Sequence, residues 1–322
     1  MAIQQANVSV TVPVEQAIER VKVLLFRPFD ISRWFTIGFC AWLAGLGERG
    51  FGGNFNLGSR NGGGPDGGNA NFHEQLEHAK AYVANNLMWI VPLAIILVVF
   101  CIALGVVMLW LNSRGKFMFL HCVALQKAEI DIPWHKFARQ GNSLFLFRLV
   151  LGLIAMVPSI PFIVMAILLA LKMYHHDRLD APDVLMFVCV VLMLIVLGVV
   201  FGCINKLTKD FVVPIMFLRG NTCLEAWMDF LGLLSVNVAH FVVYLLFQIV
   251  LGLAVVALVL ITVLVTCCIA GCLLILPYLG TVLLLPVLVF SRSYSLYYFG
   301  QYGDQYNVFL TLAVSPPSSA SV

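Results

Sequence analysis

The feature that most limits this chain is a set of long apolar blocks with almost no charge. Residues 93–111 and 236–264 contain no Asp, Glu, Lys or Arg. Apolar runs beyond ~18 residues match the thickness of a bilayer's hydrocarbon layer. Composition agrees, with 61% hydrophobic and 11% charged residues, where soluble chains carry about 25% charged. Mean hydropathy is +0.97. These values point to an all-α integral membrane protein that crosses the bilayer several times.

Six transmembrane helices are predicted, over 31–46, 87–111, 143–171, 184–204, 238–265 and 269–290. The first is the shortest. Pro28 ends what precedes it, and Asp30 supplies an N-cap. Pro158 and Pro161 are expected to kink the third, because each ring removes a backbone donor. The fifth and sixth are joined by a turn near 267–271. Residues 1–33 are polar or amphipathic and lack an apolar core before a small-residue site, so no cleavable signal is expected.

Charge orients the spans. Six crossings place fourteen Lys and Arg on one side and five on the other. The richer side is expected to be cytoplasmic, with both termini there. A five-span layout would move the N-terminal basic cluster outside. The stretch GLGERG at 45–50 has phosphate-loop spacing, but it follows a membrane helix on the outer side and leads into more Gly and Asn. A dinucleotide fingerprint needs a strand before it and a helix after it. Residues 47–86 are therefore expected to form a Gly/Asn-rich outer loop, and no nucleotide partner is expected.

A pattern recurs on the cytoplasmic side. PVEQAIERVKVLLF (13–26) reads as an interfacial helix, with Val14, Ala17, Ile18, Val21, Leu24 and Leu25 on one face. PWHKFARQ and NTCLEAWMDF repeat the pattern before the third and fifth spans, and Thr222 with Glu225 has capping-box spacing. Aromatic-rich stretches GKFMFL, KDFVVPIMFL and SRSYSLYYF follow the even spans. The suggested unit is an interfacial helix, a membrane hairpin and an amphipathic extension, repeated three times. Chance similarity among apolar segments is the competing explanation.

LLFRPFDISRWFTIGFCAWLAGL, SRGKFMFLHCVALQKAEIDIPWHKFARQGNSLFLFRL, FVVPIMFLRGNTCLEAW and SRSYSLYYFGQYGDQYNVF resemble a group of prokaryotic six-span membrane proteins. That group is similar to the membrane domain fused to some glycerophosphoryl diester phosphodiesterases. The resemblance covers most of the chain outside the Gly-rich loop and implies a prokaryotic inner membrane. It carries no assigned activity and no functional residues. The soluble phosphodiesterase domain is absent from these residues, so the resemblance does not imply that hydrolase activity.

Polar groups inside a membrane are costly and usually functional. Here His240 and Gln248 stand eight residues apart on the fifth span, as candidate cavity-lining residues beside the Pro158/Pro161 kink. An interhelical hydrogen bond is the plainer role for His240. No span carries a central carboxylate, which weighs against ion-coupled transport. Arg20, Lys22, Trp134, Lys136, Arg148, Trp227, Arg292 and Tyr294 form a candidate lipid-interface set favouring anionic lipid. Arg148 and Arg292 can snorkel to headgroups or pair with Asp210.

MYHHDRLDAPD places His175, His176 and Asp177 in an outer loop, where adjacent side chains cannot converge on one ion. Cys267, Cys268 and Cys272 fit either a disulfide or small-residue packing. No HExxH, GxSxG, GxxxxGK[ST] or CxxC occurs. No metal, cofactor or catalytic residue is expected, and a net charge of +3 does not suggest nucleic acid. The sequence is read as a non-enzymatic lipid-interacting, assembly or regulatory component. Its partners would be membrane lipids and either other proteins or further copies of itself. The alternative is a transporter or channel for a lipid-like or weakly polar solute.

Overall fold

The computed structural model describes residues 8–27, 29–47, 87–175, 181–266, 271, 274 and 276–310. Most of the Gly/Asn-rich loop, His176, Asp177, Cys267, Cys268 and Cys272 lie outside them, as does the side chain of His175. No strand occurs among the described residues. The elements are α1 (Val12–Val21, continued by a π turn Lys22–Phe26), α2 (Ile31–Gly45), α3 (Leu87–Leu125), α4 (Asp131–Lys136) and α5 (Ala138–His175). There follow α6 (Ala181–Leu207), a π segment (Thr208–Val212), α7 (Val213–Arg219), α8 (Cys223–Val236), α9 (Val238–Val265), α10 (Pro277–Leu283) and α11 (Leu285–Gly300).

Four stretches are long and apolar enough to cross a membrane: α3, α5, the run Ala181–Arg219 and α9. Their most apolar windows have at most 6% of residues buried by protein. A helix satisfies its own backbone, so such surfaces suit lipid and not water. This is a membrane protein. The Ala181–Arg219 run has 39 residues, or ~58 Å against ~30 Å of hydrocarbon, so it extends well past a single crossing.

The chain divides into two compact units, Met1–Gly45 with Trp110–Val322, and Leu46–Leu109. In the smaller unit the first half of α3 presents Leu93, Ile96 and Phe100, each more than 60% exposed. In the larger unit the core lies in the stretches that follow the apolar runs. Phe117, Met118 and Leu120 of α3, Phe211, Val212, Val213, Ile215 and Met216 around α7, and Tyr294, Leu296, Tyr298 and Phe299 of α11 are all 1% exposed or less. The three aromatic stretches read from the sequence as amphipathic extensions are therefore largely enclosed by protein. Phe211 shows why: its ring meets those of Phe230, Phe241, Tyr244 and Phe299 at 5.0–5.4 Å. Edge-on and stacked contacts of this kind add to area burial.

The short helices cover these extensions. α1 has a proline in its first turn, where a missing N–H costs nothing, and Glu15 near its start and Arg20 near its end suit the helix's end charges. Its Ala17 side lies along α11, and Leu24 and Leu25 of the π turn are also buried. The face expected among acyl chains is thus largely covered by protein, leaving Val12, Ile18 and Phe26 exposed. α8 packs on α7 and the π segment, and the Glu225 carboxylate accepts from Thr222 N at 3.1 Å, as the capping-box spacing predicts. Gly220, at φ +69°, ends α7 in the left-handed conformation. Phe137, just after α4, stacks on Phe117 of α3 at 6.0 Å.

The first and sixth predicted spans do not appear as long helices among the described residues. α2 has 15 residues. Its Cys40 lies beside Cys122, and the carbonyl of Ala44 accepts from Asn112 Nδ2 at 2.7 Å, so α2 runs against residues 112–122 of α3. The sixth is broken at Leu284 between α10 and α11, and each piece has a proline in its first turn. A ring without an N–H suits a helix start better than a helix middle. α5, in contrast, continues through Pro158 and Pro161, and Ser159 Oγ donates back to the Ala155 carbonyl at 2.7 Å.

Candidate functional site

The π segment after α6 carries an acidic side chain into the interior. Wider i→i+5 turns of this sort often sit at functional positions. Asp210 is 3% exposed and accepts from Lys206 Nζ and from the Tyr244 hydroxyl, both at 2.9 Å. Gln248 Nε2 donates to the Tyr244 oxygen at 2.9 Å, and Gln248 Oε1 accepts from Lys206 Nζ at 3.4 Å. Four side chains from two helices thus close a polar ring. Lys206 uses two of its three ammonium protons here and stays one-third exposed. Nearby, Arg292 Nη1 donates to the Lys209 carbonyl at 2.6 Å.

This ring sits at one end of a groove of about 520 Å³ between α6, α9 and α11. Its walls include Val199, Leu251, Val255 and Val287, and its polar lining is Lys206, Gln248 and Ser291. That volume lies within the usual range of small-ligand pockets, roughly 300–1,000 Å³. The arrangement can hold an elongated amphiphile, with oily walls along its length and donors at one end.

Gln248 lines this groove, but His240 does not. Two turns away, the His240 carbonyl accepts from Tyr298 Oη at 2.9 Å. Of the interface set, Tyr294 is fully buried with its hydroxyl on the Val10 carbonyl, and Arg292 is 5% exposed. Both are enclosed by protein, so neither faces a lipid belt. Asp210, a proposed partner of Arg148 or Arg292, pairs with Lys206 because four residues along the chain bring Lys206 alongside it. Arg148 instead donates to Asn112 Oδ1, linking α5 to α3 and α2. Arg20 grips the Val123 and Ala124 carbonyls at the end of α3 and stacks on Phe309 at 4.6 Å. Burial lowers its pKa from the ordinary value, and the Tyr297 hydroxyl opposes this.

Trp227 packs between Phe230 and Phe147. Lys22 and Lys136 are exposed, Lys22 pairing with Glu19 at 3.4 Å and Lys136 lying over Phe137 at 5.6 Å. Trp134 belongs to a group the sequence did not mark. Arg114 lies 4.5 Å from the Trp110 ring and 4.9 Å from that of Trp134. Asn142 Oδ1 accepts from Trp110 Nε1 at 3.0 Å and from Arg114 Nη2 at 3.3 Å. Two half-buried indoles around a guanidinium suit a surface that is oily below and wet above.

The polar ring also escaped the sequence. Its only local signals were two i,i+4 pairs, Lys206–Asp210 and Tyr244–Gln248, and nothing local says they meet. Among the described residues no three His, Cys, Asp or Glu side chains gather at metal-binding distance. No curated protein and no solved structure matches the chain. A profile describing a family of unknown function (DUF7544) matches residues 9–283, and the chain belongs to that family.

Proposed function

We propose that this protein is a non-enzymatic component of a prokaryotic cell membrane that works by binding lipid, in an assembly or regulatory capacity. The observation that carries this is the Arg114–Trp110–Trp134 group, with exposed Lys136 two residues on from Trp134, in a chain whose long helices have open apolar faces. Aromatic and basic side chains grouped at the edge of an apolar surface favour the headgroup layer, and cations there favour anionic lipid.

The layout proposed is six crossings with both termini in the cytoplasm, built as three repeats of short helix, hairpin and extension. Three pairings support the repeat: α4 with α3, α8 with α7, and α1 with α11. In each, a short helix rests on the extension of an even-numbered span, and the last pairing joins the beginning of the chain to its end. Of the six crossings, 31–46 has the least support, since α2 runs against the part of α3 that holds Arg114 and Lys116.

Reconstitution tests the role. The purified protein should melt at a higher temperature as anionic phospholipid is added, and vesicles carrying it should pass small solutes no faster than empty ones. The groove at Gln248 favours transport as the second reading. Solute flux that disappears in Gln248→Ala would establish transport and displace the lipid-binding role.

A further inference from the structure

We infer that the groove between α6, α9 and α11 is a binding site for an anionic phospholipid, with one acyl chain along the apolar walls and the phosphate at Lys206. The site presupposes the lipid-binding role proposed above.

Three features define the occupant. First, the lining is apolar along most of its length and polar at one end only. On α9 it reaches from Leu245 to Val255, and on α6 from Val199 to Lys206. Seven to ten helical steps span ~10–15 Å, so the walls suit a chain lying parallel to the helices. A free phosphate or a compact polar solute would leave those walls unmatched.

Second, charge at the polar end favours an anion. Lys206 is the charged side chain of the lining, and its partner Asp210 stands behind it, outside the lining. Asp210 is buried and already accepts two hydrogen bonds, so it offers little to a cationic headgroup. Lys206 keeps one ammonium proton and a third of its surface for an incoming acceptor. A phosphodiester oxygen is a strong, charged acceptor of that kind.

Third, the groove is kept wide by two glycines. Gly202 of α6 and Gly252 of α9 line it, and a Cβ at either would meet nothing within 4 Å. Mid-helix glycine is destabilising relative to alanine. No close helix contact requires either one, whereas an acyl chain seated there would use the space.

The test is native mass spectrometry of the full chain from mild detergent, after delipidation and titration with phosphatidylglycerol or phosphatidylcholine of equal chain length. Glycerol phosphate serves as the headgroup alone. Wild type should retain phosphatidylglycerol about tenfold better than phosphatidylcholine, equivalent to ~1.4 kcal/mol, and should not retain glycerol phosphate. The Gly202→Leu/Gly252→Leu protein should lose most of the bound lipid while melting no lower than wild type. Should that variant fail to fold, Lys206→Gln supplies the reading: a preference falling towards one supports the site, and an unchanged preference overturns it. Undiminished retention by the folded double variant overturns the groove assignment alone. Equal retention of both phospholipids, or capture of glycerol phosphate, overturns the anionic phospholipid as occupant. Wild type that holds no lipid overturns the wider lipid-binding role.

Discussion

Replacing Gly115 with alanine should destabilise the protein, although the same change in an open helix stabilises it. An ideal Cβ at Gly115 would lie 2.6 Å from Ala44 N and Leu43 C, with Leu43 Cβ at 3.0 Å. The two closest are backbone atoms of α2, which cannot rotate away as a side chain can. Ordinary carbon contacts lie near 3.5–4.0 Å, so α2 would have to withdraw by about 1 Å. Overpacking of this kind costs roughly 1–3 kcal/mol. Withdrawal also strains the Asn112 hydrogen bond to the Ala44 carbonyl, worth about 1 kcal/mol. Alanine returns roughly 0.5–1 kcal/mol through helix preference. The net expectation is a loss of about 1–3 kcal/mol. Gly152→Ala in α5 is the reference, because a Cβ there meets nothing within 4 Å. It should gain roughly 0.5–1 kcal/mol. Equilibrium unfolding in mild detergent reads both. Gly115→Ala unfolding at the same denaturant concentration as Gly152→Ala would refute the packing of α2 on α3.

Three further substitutions probe the core layer. Phe211→Ala empties the centre of the aromatic cluster and should cost about 3–5 kcal/mol in the same unfolding assay; a cost below about 1 kcal/mol would contradict a close-packed layer. Tyr244→Phe removes the hydroxyl between Asp210 and Gln248 and should cost about 1–3 kcal/mol. Paired with Gln248→Leu, its effect should be non-additive, since the two share one hydrogen bond. His121→Phe should raise stability by about 1 kcal/mol. His121 is 5% exposed, neither ring nitrogen makes a hydrogen bond, and the ring lies beside the stacked pair Phe137 and Phe217. A clear loss instead would show that Glu129, 3.8 Å away, holds the imidazole in place.

What could be read from the sequence was what depends on neighbours in the chain. The apolar runs of α3, α5, α6 and α9 needed only composition, and the start of α8 needed only Thr222 and Glu225. Their ends were harder. α3 continues to Leu125 because NSRGKFMFLHCVAL contains no proline to stop a helix, whereas apolarity alone ends at 111. Tyr294 and Arg292 looked like surface anchors because amphipathic spacing marks one buried face without saying whether lipid or protein covers it. Here the stretch leading into α1 covers Tyr294, from nearly three hundred residues away in the chain, and the π segment meets Arg292. The Lys206–Asp210–Tyr244–Gln248 ring was hidden for the same reason, since it exists only where α6 and α9 meet.

Compartment mapping tests the proposed layout most directly. Tags placed at Met1, after Arg60 and at Val322 can be probed in intact and in permeabilised spheroplasts. The Arg60 tag should be reached in intact spheroplasts, and the two terminal tags only after permeabilisation. A terminal tag exposed in intact spheroplasts, or an Arg60 tag hidden in them, would contradict six crossings with cytoplasmic ends.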